Sequence, residues 1–198
     1  MAKEGNIARS GERGAMLRID SIRRACARVM VTAAAILSVT GSGQSMADEV
    51  FSLGPRDTPA LITASVGSIG NVLADRDEAI AFTLEYRADR QLEFLFVRPS
   101  LGLMATTDRS IYGWFGLSTD IFFWRRLVLT PETGMGAYFK GDGQDLGSVL
   151  EFRSGGNLAW RFDSEARVGV RFHHLSNLGL GDTNLGTESL AIFYSHPL

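Results

Sequence analysis

The sequence predicts an all-β protein, an eight-stranded antiparallel transmembrane β-barrel. Three observations predict it. Beyond residue 48 no long helical period is present, and runs that alternate every second residue recur instead. There are eight such runs, an even number that suits the smallest membrane barrels. In most of them one face is large and apolar, while the other is small, glycine-rich or charged. A soluble barrel buries its apolar face and exposes its charges. A membrane barrel inverts this, because lipid solvates the outside.

The runs span about 58–70, 79–87, 92–106, 110–124, 126–140, 147–162, 165–177 and 186–196. In the second, Ile80, Phe82, Leu84 and Tyr86 alternate with Ala81, Thr83, Glu85 and Arg87. In the third, Leu101 and Leu103 oppose Arg98, Ser100 and Gly102. The fourth places Ile111, Phe115, Leu117, Ile121 and Phe123 on one side. The fifth sets Leu127, Leu129, Met135 and Phe139 against Thr130, Glu132 and Gly134. The sixth sets Leu150, Phe152, Leu158 and Trp160 against Glu151, Arg153, Asn157 and Arg161. In the seventh, Val168, Val170 and Phe172 oppose Arg167, Gly169, Arg171 and His173.

The charged face supplies a lumen, with Glu85, Glu132 and Glu151 expected to pair with Arg98, Arg153, Arg167 and Arg171. Tyr112, Trp114, Trp124, Trp160 and Tyr194 are candidates for the interfacial girdles. A soluble lipocalin-like barrel shows the same alternation with inside and outside exchanged. The number of charges and glycines on the small face favours the narrow polar interior of a membrane barrel. Short breaks are expected at Ala88–Gln91, Arg125 and Asp163–Ser164, with longer ones after the first, fifth and seventh runs. Short turns face the periplasm and longer loops the exterior, which puts residues 178–185 outside.

The N-terminal part reads differently. Arg18, Arg23, Arg24 and Arg28 precede an apolar stretch from Val29 to Val39, too short to span a membrane as a helix. Ser45, Met46 and Ala47 form a small-residue cleavage site, so residues 1–47 read as an extended start plus a cleavable signal peptide. A cytoplasmic amphipathic N-terminus is the alternative. Residues 48–198 then form one barrel domain. Of the 20 Lys and Arg, seven precede residue 48, and of the 22 Asp and Glu, three do. The remainder is 13 basic and 19 acidic residues, a net charge of −6, with Lys140 the one lysine. That balance excludes a nucleic-acid binder. The single cysteine, Cys26, lies in the segment expected to be removed, so no disulfide is expected.

Chemistry concentrates in Arg167 to Tyr194. His174 and Ser176 lie two apart in a strand and so share a face. Glu188 follows twelve residues after Ser176, beyond a loop of Gly, Asp, Asn and Thr. A hairpin centred on Gly181 pairs positions that sum to 362, which sets Glu188 opposite His174. Ser, His and Glu on one face are the material of a nucleophile, a base and an orienting carboxylate. They continue the apolar, lipid-facing stripes Val168–Val170–Phe172 and Leu190–Ile192–Tyr194, where an idle carboxylate is costly in proportion to its depth. A harmless polar cluster at the membrane rim is the competing account. His173 faces the lumen by parity, and His196 is expected to do nothing specific at the chain end. A metal site built on His173 or His174 with Asp182 lacks a clustered ligand set, so no metal is expected.

His174-Leu175-Ser176-Asn177, followed by Gly179, Asn184, Gly186 and Glu188, closely resembles the signature of the outer-membrane lipid A 3-O-deacylases, the PagL family. The motif covers only the last thirty or so residues. The resemblance implies an outer-membrane esterase that removes the ester-linked acyl chain at position 3 of lipid A, without a cofactor. It implies Ser176 as nucleophile, His174 as base, Glu188 as orienter, Asn177 and the N–H of Gly179 as oxyanion donors, and Asn184 as a supporting loop residue. Its partners would be lipid A or lipopolysaccharide as substrate and the surrounding membrane lipid, and a homodimer is compatible with it. Leu178 departs from the family's smaller residue and is expected to narrow the oxyanion region. The chain also ends in His196-Pro197-Leu198 rather than an aromatic residue. A non-catalytic structural or adhesive barrel, a phospholipase-like hydrolase of another lipid and a soluble periplasmic lipid-binding barrel are the alternatives.

Export by cleavage predicts a mature protein that begins at or near Asp48 and lacks Cys26. Intact-mass measurement on purified outer membranes tests this, and a mass that retains residues 16–47 contradicts it.

Overall fold

The computed structural model describes residues 51–53, 58–71, 76–90, 92, 97–181 and 183–198. The signal-peptide region and its expected cleavage point lie outside the described residues. Ten strands are described: β1 (Phe51–Leu53), β2 (Leu61–Asn71), β3 (Arg76–Arg87), β4 (Arg98–Thr106), β5 (Ile111–Ser118), β6 (Ile121–Phe123), β7 (Leu127–Phe139), β8 (Leu150–Arg161), β9 (Arg167–Ser176) and β10 (Thr187–Pro197). Every pairing is antiparallel. β10 returns to β2, and β7 pairs with both β5 and β8, so eight strands close a barrel without a free edge.

β5 and β6 are one strand in two pieces. Ser118↔Glu132 and Ile121↔Leu129 keep the same offset along β7. The ladder breaks at Thr119–Asp120 because Pro131 stands opposite and has no N–H to donate. Thr119 N–H still donates to the Pro131 carbonyl at 3.2 Å. The fourth sequence run is therefore a single barrel strand. β4 has its last pair at Arg98↔Ser118, and β1 takes the vacated place beside β6. The sequence reading did not include β1.

The predicted inversion of faces is present. Phe82, Leu84, Leu101, Leu103, Phe115, Met135, Val170 and Ile192 all point outward and are exposed. Inside, Glu85, Arg87, Arg98, Asp120, Glu132, Arg153, Arg167, Arg171 and His173 are buried. Outward apolar side chains of this number are stable against lipid and not against water, so the soluble-barrel alternative falls.

Glu132 is the hub of the lumen. One of its oxygens accepts from Arg87 at 2.6 Å and from Asn157 at 2.8 Å, and the other lies 3.1 Å from Arg153 and 3.5 Å from Arg171. Glu85 takes Arg171 and Arg87, and Asp120 takes Arg167 at 2.8 Å and Arg87 at 3.2 Å. Arg153 also lies over the Trp114 ring, 4.4 Å from its centroid. The indole fits because Gly102 stands opposite, where any Cβ would collide with its six-membered ring.

Several expectations are corrected. Glu151 is fully buried, yet among the described residues neither of its oxygens has a hydrogen-bond partner and it forms no ion pair. It sits one inward position nearer the long-loop end than Arg153, level with Gly136 and Trp114, and Arg153 turns away from it toward Glu132. Tyr112 and Trp114 belong to no girdle. Their parity is opposite to Ile111 and Phe115, and they stack inside the barrel with centroids 5.5 Å apart. Trp124, Trp160 and Tyr194 do face outward. The break expected at Ala88–Gln91 is not a hairpin tip, because pairing continues beyond it to a bridge between Leu92 and Val97. The connection after the first run is shorter than expected, since β2 runs to Asn71 and β3 starts at Arg76. His196, expected at a loose chain end, pairs with Ile62 within the barrel wall.

Replacing Glu132 by Ala leaves several buried guanidinium groups without their shared carboxylate. The expected cost is about 3–5 kcal/mol, read as a lower temperature for the loss of heat-modifiable gel migration. Thr133→Ala, next in sequence but facing outward, should leave that temperature unchanged. Equal behaviour of the two variants would contradict the assignment of inside and outside on β7.

Candidate active site

β9 and β10 form the hairpin that carries the site. Its register runs from Thr187↔Leu175 to Ser195↔Arg167, and Glu188 lies opposite His174 as the centre at Gly181 requires. Alternation does the rest. Arg171, His173 and Leu175 point into the barrel and are buried, while Phe172 is exposed and His174 and Ser176 are half-buried on the outer face. The outer face therefore holds Ser176, His174 and Glu188 together at the end of the barrel where the long loops emerge.

His174 and Glu188 are in contact. Nδ1 lies 3.4 Å from Oε1 of Glu188, with 43% of the histidine side chain and 17% of the glutamate side chain exposed. The second oxygen of Glu188 is buried and has no hydrogen-bond partner among the described residues. Nδ1 is thus the ring nitrogen turned toward the carboxylate. Ser176 ends β9 on the same face, two residues along, opposite Phe152 of β8. Among the described residues no hydrogen bond joins Ser176 to His174.

Gly186 was read as part of a motif, and its structural role was not legible. It has φ +64, and a Cβ there would lie 2.8 Å from Cε1 and 3.2 Å from Nε2 of His174. Its backbone is thus the wall against which the Cε1–Nε2 edge of the imidazole rests. Only a residue without a side chain provides that wall at that φ.

The loop between β9 and β10 is organised by Asn177, which is completely buried. Its Nδ2 donates to the carbonyls of Leu146 at 2.9 Å and Thr183 at 2.7 Å. Its Oδ1 accepts the N–H of Gly179 at 2.9 Å, and its own N–H donates to Oδ1 of Asn184 at 3.2 Å. The side-chain amide of Asn177 is therefore fully committed to shaping the loop. Leu178, with φ +55, and Gly179, with φ +83, turn the chain outward, and nothing lies within 4 Å of a Cβ built at Gly179. Leu178 is 66% exposed, so its side chain projects away from the loop interior rather than filling it.

His173 sits where parity put it. Arg153 donates to its Nδ1 at 3.1 Å, so Nε2 carries the proton and donates to Glu132 at 2.7 Å. The two adjacent histidines thus belong to separate networks on opposite sides of the wall.

A closed eight-stranded barrel with an apolar outer belt and a charged lumen defines an outer-membrane protein, here with a His, Ser and Glu group on its outer face. The family model described as Lipid A 3-O-deacylase (PagL) matches residues 120–197. The chain is thus similar to that family through this C-terminal part. The lipid A deacylase PagL of Pseudomonas aeruginosa is 41% identical over 71 residues, which are 34% of this chain and 41% of that protein. The match therefore spans about two fifths of that relative's length. Among solved structures, the outer membrane enzyme PagL superposes with a TM-score of 0.51 at 24% identity, covering 70% of this chain and 99% of the other. A de novo designed transmembrane β-barrel reaches 0.50 at 8% identity, covering 71% and 96%. At these identities the structural likeness speaks for the fold.

Gly186→Ala should cost about 1–2 kcal/mol for the left-handed backbone alone and should displace the imidazole. The measurement is the His174 ring resonances in the folded barrel. Unchanged resonances would mean that Gly186 does not support the ring.

Proposed function

We propose that this protein is a lipid A 3-O-deacylase, a serine esterase working at the outer leaflet through Ser176, His174 and Glu188. The observation that carries the reading is the shared outer face of these three residues, in register across β9 and β10 and continuous with the apolar belt. A site on the outside of a barrel suits a substrate that is itself a membrane lipid and approaches sideways.

In this mechanism Nε2 of His174 takes the proton of Ser176 as its Oγ attacks the acyl carbonyl. Glu188 holds the Nδ1–H and stabilises the imidazolium. Collapse of the tetrahedral intermediate breaks the ester C–O bond, and His174 returns the proton to the sugar oxygen. Water, deprotonated by His174, then cleaves the acyl-enzyme, releasing the fatty acid and restoring Ser176. No cofactor is needed for either half.

The oxyanion falls to the 177–184 loop. Gly179 N–H would exchange its bond to Asn177 for one to the substrate oxygen, with Asn177 setting the loop's curvature. Asn184 holds the Asn177 N–H with its oxygen, and its Nδ2 has no protein partner among the described residues, so it supplies a second donor. A preorganised donor of this kind contributes roughly 10²–10³ in rate.

Mass spectrometry of lipid A from cells with and without the protein tests the reading. Loss of one hydroxyacyl chain is expected. Ser176→Ala and His174→Ala should each abolish that loss while the barrel stays heat-modifiable, because members of one catalytic unit are strongly non-additive. Glu188→Ala should be severely impaired, and His173→Ala should retain most activity. An unchanged spectrum with folded, inserted protein would overturn the reading, as would an active His174→Ala beside an inactive His173→Ala.

A further inference from the structure

The loop between β7 and β8, residues 140–149, lies far in sequence from the proposed site, yet it grips the site loop at three places. The carbonyl of Leu146 accepts from Asn177 Nδ2 at 2.9 Å. Gly147, at φ +87, packs so closely on Thr183 that a Cβ would collide with both its carbonyl and its hydroxyl oxygen, and Gly181 packs equally closely on the Gly147 carbonyl. Gln144 Nε2 makes a longer bond, 3.4 Å, to the carbonyl of Gly186, the residue that backs His174.

The gripping loop is itself fixed to the barrel. Leu146 is buried among Tyr112, Trp114, Tyr138 and Leu175 at the top of the lumen. Tyr138 donates to the Gln144 carbonyl at 3.0 Å, and Asp145 accepts the Gly147 N–H at 3.0 Å while pairing with Lys140 at 2.7 Å. A loop held this way is a rigid platform and not a tether.

The geometry points to the β7–β8 loop as a brace for the reaction, with Gly147 and Gln144 as positioning residues. They touch neither Ser176 nor the ester. Gly147 sets the height of Gly181 and Thr183 and hence of Asn184 and Gly179, and Gln144 steadies Gly186 and through it the Cε1–Nε2 edge of His174. The inference rests on the deacylase reading for its catalytic consequence, but the brace itself is a property of the folded barrel.

The test uses the full-length protein in detergent with purified lipid A, alongside amide hydrogen exchange over residues 177–186. Gly147→Ala and Gly147→Asn should lower kcat roughly 10- to 100-fold, the scale of a displacement near 1 Å, with KM within about threefold. Asn tolerates the left-handed backbone, so equal damage by Asn and Ala assigns the effect to lost close approach rather than to φ. Gln144→Ala and Gln144→Glu, which lacks the N–H donor when ionised, should show a smaller loss of the same kind. Exchange over 177–186 should speed up in all four while the heat-modification temperature stays at the parental value. A parental kcat in Gly147→Ala overturns the inference, whatever the exchange shows, and so does full activity in Gly147→Asn. A parent that is folded but inactive sinks the deacylase reading instead, and exchange alone then decides whether the brace exists. Unchanged protection in the variants overturns the brace on that branch as well.

Discussion

The structure depends on the charge cluster around Glu132. A closed barrel of eight strands leaves a lumen just wide enough for side chains, and here they are mostly ionic. Five guanidinium groups, from Arg87, Arg98, Arg153, Arg167 and Arg171, face the three carboxylates of Glu85, Asp120 and Glu132. Burying each charge costs several kcal/mol, and mutual attraction repays that only when nearly every group is partnered. The strands cannot slip by one residue to relieve a bad contact, because a slip would send every arginine into lipid. The cluster therefore works less as glue than as a lock on register.

That lock reaches the proposed site through a single peptide unit. His173 is bound inside by Arg153 and Glu132, and His174 follows it outside. As long as His173 is held in the lumen, His174 faces out opposite Glu188. The same hairpin register fixes both sides of the wall, so the ordering of the lumen and the ordering of the site are one event. The loops complete the site differently, by backbone contacts around Asn177 and Gly186 that need no charge at all.

Much of this was legible in the sequence, and the reason is the period of two. Alternation in Ile80–Arg87 and in Val168–His173 separates lipid from lumen without any knowledge of partners, and the sum of 362 fixes the last hairpin. Where the sequence misled, a local rule was overridden. Tyr112 and Trp114 are aromatic near a strand end, which suggested a girdle, yet their parity with Gly116 and Ser118 already pointed inward. Asp120 holds three arginines and was not singled out, although it shares parity with Ser118 and Phe122 across the Pro131 break. Glu151 was paired by charge alone, and depth along the barrel axis, which composition does not encode, separates it from Arg153 in function. The Asn177 contacts to Leu146 and Thr183 were out of reach, since they depend on how two loops meet in space.

The division between wall and loops also explains why an outward site is workable in a membrane protein. Ser176, His174 and Glu188 stand on strands whose positions are set by a buried ionic lumen, so solvent or lipid outside does not need to organise them. Glu188 is the demanding member, a carboxylate on an otherwise apolar stripe with one oxygen on His174 and the other buried without a hydrogen-bond partner among the described residues. Its cost falls toward the membrane interface, and the hairpin places it at the first residues of β10, at the long-loop end of the barrel. Deeper along the same stripe, at Leu190 or Ile192, the same carboxylate would be far more expensive and equally well aligned with β9. The position of the site at the rim is thus what lets strand geometry and membrane energetics agree.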